Sequence, residues 1–371
     1  MAPNVETMAY RKRTEADVPW HGIGFPILND ASPEEMLAAA GLNWTVSKRP
    51  LIAPPTPETI LSRELGCWPS TVYEGAEFLE ATDIFALVRD SDNKVLGPAG
   101  KNYIPTQNSQ AFHFFKRFVD AGHMSMDTAG SLQGGRQVWV LASINASFEL
   151  AGGDRVEGYL LLSSPHIWGR SLVIKFVPIR VVCQNTFTMA MNQTWQGKSF
   201  RMPHIRAFDG EAEMDAMKTL DIAVDMFKEF EETAKLLSGA RVSADVHIKY
   251  VADLFQPELI VDAYGKNFYK LPSSEQARAL IDSNITVTTN QLNRVAFNVH
   301  NAINAQPGAG LESSRGTMWG AFNAVTYYTD HITGRDRDKA LYSAWFGPSS
   351  TIKTRALAKA VQLATAVELA L

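Results

Sequence analysis

Apolar residues recur along this chain with two different periods, and the period changes near the middle. Upstream of about residue 208 the pattern is mostly alternating or short apolar runs, which predict strands at Phe85–Asp90, Met124–Leu132, Arg136–Ile144, Val156–Leu162 and Leu172–Val177. Ser91-Asp92-Asn93-Lys94 reads as a turn into a short returning strand at Lys94–Leu96. Gly134-Gly135 and Gly152-Gly153-Asp154 read as tight turns, and Ser163 to Gly169 as a longer connection. One helix interrupts this series from about Gln107 to Ala121, with Phe112, Phe115, Phe118 and Val119 on one face and Gly122 as its stop. Downstream the spacing becomes three and four: Met214, Met217, Leu220, Val224, Phe227 and Phe230 predict a long amphipathic helix over Glu211–Leu237 that turns its methionines to the core. Ser274–Asp282, Thr289–Asn301 and Lys353–Ala370 follow as further helical segments, after a mixed region from Ser243 to Leu271.

The first fifty residues are less regular. Ser32 as N-cap, Pro33 at the first helical position and Glu35 completing a capping box predict a short helix that Gly41 ends. Leu42 to Val46 alternates like a strand, and the prolines between Pro50 and Pro57 read as a linker or rigid surface excursion. Gln306-Pro307-Gly308-Ala309-Gly310 reads as a mobile loop. The expected class is α+β: an antiparallel β-meander with packed helices, followed by a mainly helical C-terminal region. The expected division is an irregular segment over 1–57, an α+β core over 58–208 and a helical region over 209–371.

Composition narrows this picture. A chain of 371 residues, 46% hydrophobic and 20% charged, can bury a substantial core. Without an apolar run of about 18 residues a transmembrane helix is not expected. The opening MAPNVETMAYRKRTEADVPW has no apolar stretch of the kind a secretory signal needs. Cys67 and Cys183 are too few for a disulfide scaffold and read as reduced thiols in a cytoplasmic protein. A net charge of −4 excludes a basic coat around nucleic acid, but not a local basic groove.

Such a groove is what the charge distribution suggests. From Gly158 to Phe208 there is no aspartate or glutamate, while Arg170, Lys175, Arg180, Lys198, Arg201 and Arg206 give a local charge of +6. The next stretch, Asp209 to Glu232, reverses this with nine acidic residues against Lys218 and Lys228. Phosphates are attracted by closely spaced cations that no carboxylate neutralises. Trp168 and Trp195 within the basic run offer stacking surfaces to unpaired bases, and Gln184 and Asn185 offer amides to backbone or base edges. The competing reading is intramolecular: the acidic helix downstream neutralises the same arginines.

Other chemistry is thinly signalled. Asp127, Asp154 and Glu157 would have to converge to hold Mg²⁺ for a nuclease-like reaction. The eight histidines form no HExxH or cysteine-supported pattern, so no zinc site is expected. KVLGPAGK (Lys94–Lys101) and Gly347–Lys353 both miss the phosphate-loop pattern. No paired histidine marks Cys183 as a nucleophile, and no cofactor is implied. In Gly316–His331, Ala321, Val325 and Tyr328 share one helical face, while Asn323, Tyr327 and either Asp330 or His331 lie near another. Core packing with an inter-domain contact is the plain reading of that segment.

Four segments carry a resemblance: PWHGIG near the N-terminus, DTAGSLQGGRQVWVLASI, PIRVVCQNTFTMAM and GTMWGAFNAVTYYTDH. Together they resemble a family of phage- and plasmid-encoded proteins, the domain of unknown function numbered 932, from about Pro19 to Lys359. The resemblance brings no catalytic residues. It implies a mobile-element protein of the host cytoplasm, beside replication and recombination genes. The resulting expectation is a single-stranded DNA-binding protein, able to promote strand annealing without ATP and to form a homo-oligomer, with no membrane partner. A metal-dependent DNA- or nucleotide-processing enzyme and a non-enzymatic virion or host-interaction protein are the alternatives.

Overall fold

A computed structural model describes residues 5–12, 24–27, 30–53, 79–180, 185–186, 199–255, 289–333, 343 and 347–368. In chain order its elements are β1 (Val5–Arg11), β2 (Phe25–Ile27), α1 (Pro33–Ala39), β3 (Val46–Ala53), β4 (Leu79–Arg89), β5 (Lys94–Gly100), α2 (Asn108–Asp120), β6 (Ser125–Leu132), β7 (Gln137–Leu150), β8 (Asp154–Pro165), β9 (Ser171–Arg180), β10 (Asn185–Thr186) and β11 (Phe200–Pro203). The helices α3 (Gly210–Gly239), α4 (Ala244–Phe255), α5 (Thr289–Ala305), α6 (Met318–Tyr327) and α7 (Pro348–Glu368) follow. The fold is α+β, as the change of period predicts: antiparallel meander first, helices after.

Strands β6 to β9 form that meander, with β1 added beside β6 and both β10 and β11 paired to β9; the short β2 lies parallel to β1. A separate three-stranded sheet has the order β3-β4-β5. Period-two alternation gives the main sheet two apolar faces. Val138, Val140, Leu160, Leu162, Leu172, Ile174 and Phe176 join the main core with α2, α3 and α6, while Trp139, Leu141, Tyr159, Leu161 and Val177 form a second cluster behind.

The local signals act as expected at α1 and α2. The Ser32 hydroxyl accepts from the Glu35 amide at 3.1 Å and the Glu35 carboxylate accepts from the Ser32 amide at 2.8 Å, which closes the capping box. Those bonds hold the Glu35 carboxyl below its ordinary range. Phe112, Phe115 and Phe118 are buried, and α2 stops where Gly122 takes a positive φ of 73°.

Several expectations need correction. Leu42, Trp44 and Val46 do alternate into the core, but no ladder forms before Val46, and β3 runs straight through Pro50 to Ala53. A register shift between Pro50 and Ile52 accommodates the proline, which cannot donate to a ladder. Met214 is 58% exposed: it lies off the buried face of α3, which already includes Ala212 and Ala216. The segment from Gln306 is also anchored: Gln306 is buried and donates to the Gly320 carbonyl at 3.1 Å, and the Gly308 carbonyl accepts from Arg180 at 3.2 Å. The helix expected at Ser274–Asp282 lies outside the described residues.

Candidate nucleic-acid interface

The described cations of the acid-free segment do not form one continuous surface. Arg180, at the end of β9, is fully buried. Its register partner is Val156, so its side chain leaves the sheet on the same face as Asp154 two residues before. The two meet in a bidentate pair, Nε to Oδ1 and Nη2 to Oδ2, both at 2.7 Å. Arg180 also donates to Ser314 Oγ at 2.7 Å, and Asp154 accepts from Ser313 Oγ at 2.6 Å and from Trp319 Nε1 at 2.9 Å. Arg180 is therefore a tie between the sheet and the helical region, and its assignment to phosphate is corrected: the guanidinium is out of reach of solvent. The same network tells against the Mg²⁺ alternative, which needs Asp127, Asp154 and Glu157 to converge. Asp154 is occupied, and Glu157 projects from the opposite face, where it accepts from Tyr159 Oη at 2.7 Å and pairs with Arg155 at 3.1 Å. Among the described residues no three His, Cys, Asp or Glu side chains gather to hold a metal.

Lys175 lies in mid-strand opposite Leu161, half-buried. Burial first, then the charges of Lys353 and Arg201, push its ammonium down to about 7. Arg201 on β11 is exposed and sits opposite Val173, so it shares the sheet face of Lys175. Gln184, Trp195 and Lys198 lie outside the described residues, and Asn185 stands in β10, paired with Arg180.

The remaining members, Trp168, Arg170 and Arg206, come together at one corner, and strand pairing is the reason. Because β11 runs antiparallel to β9 with Pro203 opposite Ser171, the residues just after β11 meet the turn just before β9. The Ile104 amide donates to the His204 carbonyl at 2.6 Å, which adds the segment after β5. At this corner Trp168 is 54% exposed, Ile205 67% and Ile104 41%, with Lys101, Arg170 and Arg206 exposed around them. The Trp168 indole rests on the backbone of β5: a Cβ on Gly100 would stand 3.3 Å from the ring, so the missing side chain makes its seat. Arg206 touches the acidic helix at a single point, 3.8 Å from Asp215.

Two buried histidines hold the corner from beneath. His166 Nε2 bonds Asn108 Oδ1 at 3.2 Å, and because the Asn108 amide nitrogen donates to the Leu42 carbonyl, the histidine is the donor. Burial first, then the neighbouring His204, push His166 down to about 3. The His204 ring stacks on Tyr103 with centroids 4.8 Å apart, and burial pushes it down to about 4. Both rings are thus neutral supports. Ile104, Ile205 and Lys101 were not singled out by the sequence: each is isolated within its own segment, and only the β9–β11 pairing joins them.

The segment Gly316–His331 combines core packing with a sheet contact. Trp319, Asn323, Thr326 and Asp330 follow one another at helical spacings of four, three and four and are all buried. Trp319 reaches Asp154, and Asp330, in a wider turn that continues α6 over Tyr328–Ile332, pairs with the buried Lys353 at 2.8 Å. Gly320 is needed there, since any Cβ would collide with the Ser314 carbonyl.

A meander carrying an exposed tryptophan–arginine corner, joined to a helical region by hydrogen bonds from a buried ion pair, is the class of protein that fold and site define. The chain belongs to the family described as Domain of unknown function (DUF932), matched over residues 95–365. That span contains the corner, the Asp154–Arg180 tie and α6. Neither curated proteins nor solved structures give a match. Among the described residues no helix is long and apolar enough to cross a membrane.

Proposed function

We propose that this protein binds single-stranded DNA at the corner built from the turn before β9 and the segment after β11. The observation that carries this reading is Trp168: an indole seated against β5, more than half exposed, with Arg170 two residues away and Arg206 on the adjoining segment. Such a ring accepts any base on its open side, while the arginines neutralise phosphates and Ile104 and Ile205 shed water on contact with bases. From Gly158 to Phe208 the chain carries no carboxylate of its own. Binding of this kind needs no chemical step. Holding strands extended is what an ATP-independent annealing protein would use it for.

The test is binding of a short labelled oligothymidylate, followed by fluorescence anisotropy across a salt series. Two to three phosphate contacts from Arg170, Arg201 and Arg206 give a slope of log K against log salt between about −1.4 and about −2. Trp168→Ala is expected to weaken binding about ten-fold without changing that slope, since stacking is uncharged. Arg170→Ala should flatten the slope by about 0.7. Absence of binding at low ionic strength overturns the proposal.

A further inference from the structure

The helix that follows the corner begins by offering a competitor for one of its arginines. Phe208 is buried against Phe114 and Phe200, which pins the short link between β11 and α3 and fixes where α3 starts. Asp209 caps that helix by accepting from the Ala212 amide at 3.1 Å, and Glu211, Glu213 and Asp215 follow within its first turns. Asp215 stands 3.8 Å from the Arg206 guanidinium and 2.9 Å from Lys218, with its side chain and that of Arg206 each 44% exposed. The Lys218 bond first, and Arg206 last, hold the Asp215 carboxyl below its ordinary range, so it is ionised at neutral pH. The contact to Arg206 is long, lacks bidentate geometry and is open to water, which makes it a pair that a denser anion can displace.

We infer that Asp215 is an internal phosphate mimic that occupies Arg206 in the unbound protein and must be displaced for the corner to take its full complement of phosphates. The inference rests on the single-strand-binding reading and adds a regulation to it. A monoanion gains little by replacing one carboxylate, whereas a polyanion engaging Arg170 and Arg201 at the same time brings its next phosphate to Arg206 at high local concentration. The device therefore selects for a continuous strand over free phosphate or mononucleotides.

Asp215→Asn in the full chain is the direct test, using anisotropy of the same labelled oligothymidylate across a salt series. Releasing Arg206, and Lys218 with it, should tighten binding about two- to five-fold and steepen the slope by about 0.7 per cation that gains a phosphate. Asp225→Asn removes the same charge from the same helix about 15 Å further along, beyond the screening length of about 10 Å at 0.1 M salt, and from there upward should leave the slope unchanged. Asp215→Glu keeps a carboxylate in reach and should stay close to wild type. An Asp215→Asn slope equal to wild type overturns the inference while leaving the binding reading intact. Equal gains in Asp215→Asn and Asp225→Asn overturn it as a general charge effect. Binding by neither wild type nor Asp215→Asn overturns both readings. Far-UV circular dichroism and the thermal transition of the full chain confirm that each variant is folded.

Discussion

Arg170 and Arg180 are ten residues apart in one acid-free run, and nothing in their neighbourhoods along the chain separates them. Arg180 shares a sheet face with Asp154, 26 positions earlier, and is buried against it, whereas Arg170 is exposed in the turn before β9. Whether a cation meets a carboxylate across a sheet depends on register, and register between distant strands is not written in local composition. Removing one partner of a buried pair leaves the other charge stranded. Arg180→Ala is therefore expected to lower unfolding free energy by about 3–5 kcal/mol in chemical denaturation. The Arg180→Ala, Asp154→Ala double variant should lose clearly less than the sum of the two single variants. Strictly additive losses would mean that the pair is not coupled. Gly320→Ala, with the Ser314 carbonyl in the way, should fail to reach the native fold, seen as loss of the cooperative thermal transition.

At the scale of elements the sequence was most informative where a signal is local and chemical. The capping box at Ser32, the glycine stop at Gly122 and the two-glycine turns all stand where their chemistry put them. Strand identity was legible too, but strand length was not: β7 extends past Ile144 to Leu150 through an irregularity between Ser143 and Ser147 that interrupts the alternation. The four-residue β11 carries almost no periodic signal, yet it assembles the corner. The Gln306 segment is rich in proline and glycine, so it reads as mobile, but its backbone and Gln306 find partners in Arg180 and α6. Buried histidines give this level a pH prediction. In the fold His166 is depressed to about 3, and His204 and His247 to about 4, against an ordinary value of 6.5. Between 6.5 and those values the unfolded chain binds more protons than the fold, so stability is full above 6.5 and falls as pH drops through that window. Each histidine contributes a slope of up to about 1.4 kcal/mol per pH unit. Urea midpoints measured from pH 7 to pH 4 should fall steadily, and His166→Asn should flatten the curve. A midpoint independent of pH over this range would contradict the burial of these rings.

For the whole molecule, the division between a meander and a helical region was visible as a change of period, and the division of charge as a change of sign at Asp209. The fold uses both. It places the basic run and the acidic helix side by side, joins sheet to helices through Asp154–Arg180 and Trp319, and leaves only the corner around Trp168 combining exposed arginine with exposed aromatic surface among the described residues. The intramolecular neutralisation weighed against a nucleic-acid role is thus partly realised: Arg206 touches the acidic helix, and Arg180 is satisfied elsewhere. The proposed binding surface narrows from a basic segment to a few side chains. It is tested most directly by photo-cross-linking a single strand carrying 5-iodouracil to the full chain and mapping the modified peptides by mass spectrometry. Adducts on Trp168 and on the peptide spanning His204 to Arg206, lost in Trp168→Ala and competed by unlabelled single strand, are the expected result. Adducts confined to other surfaces, or none at low ionic strength, would contradict it.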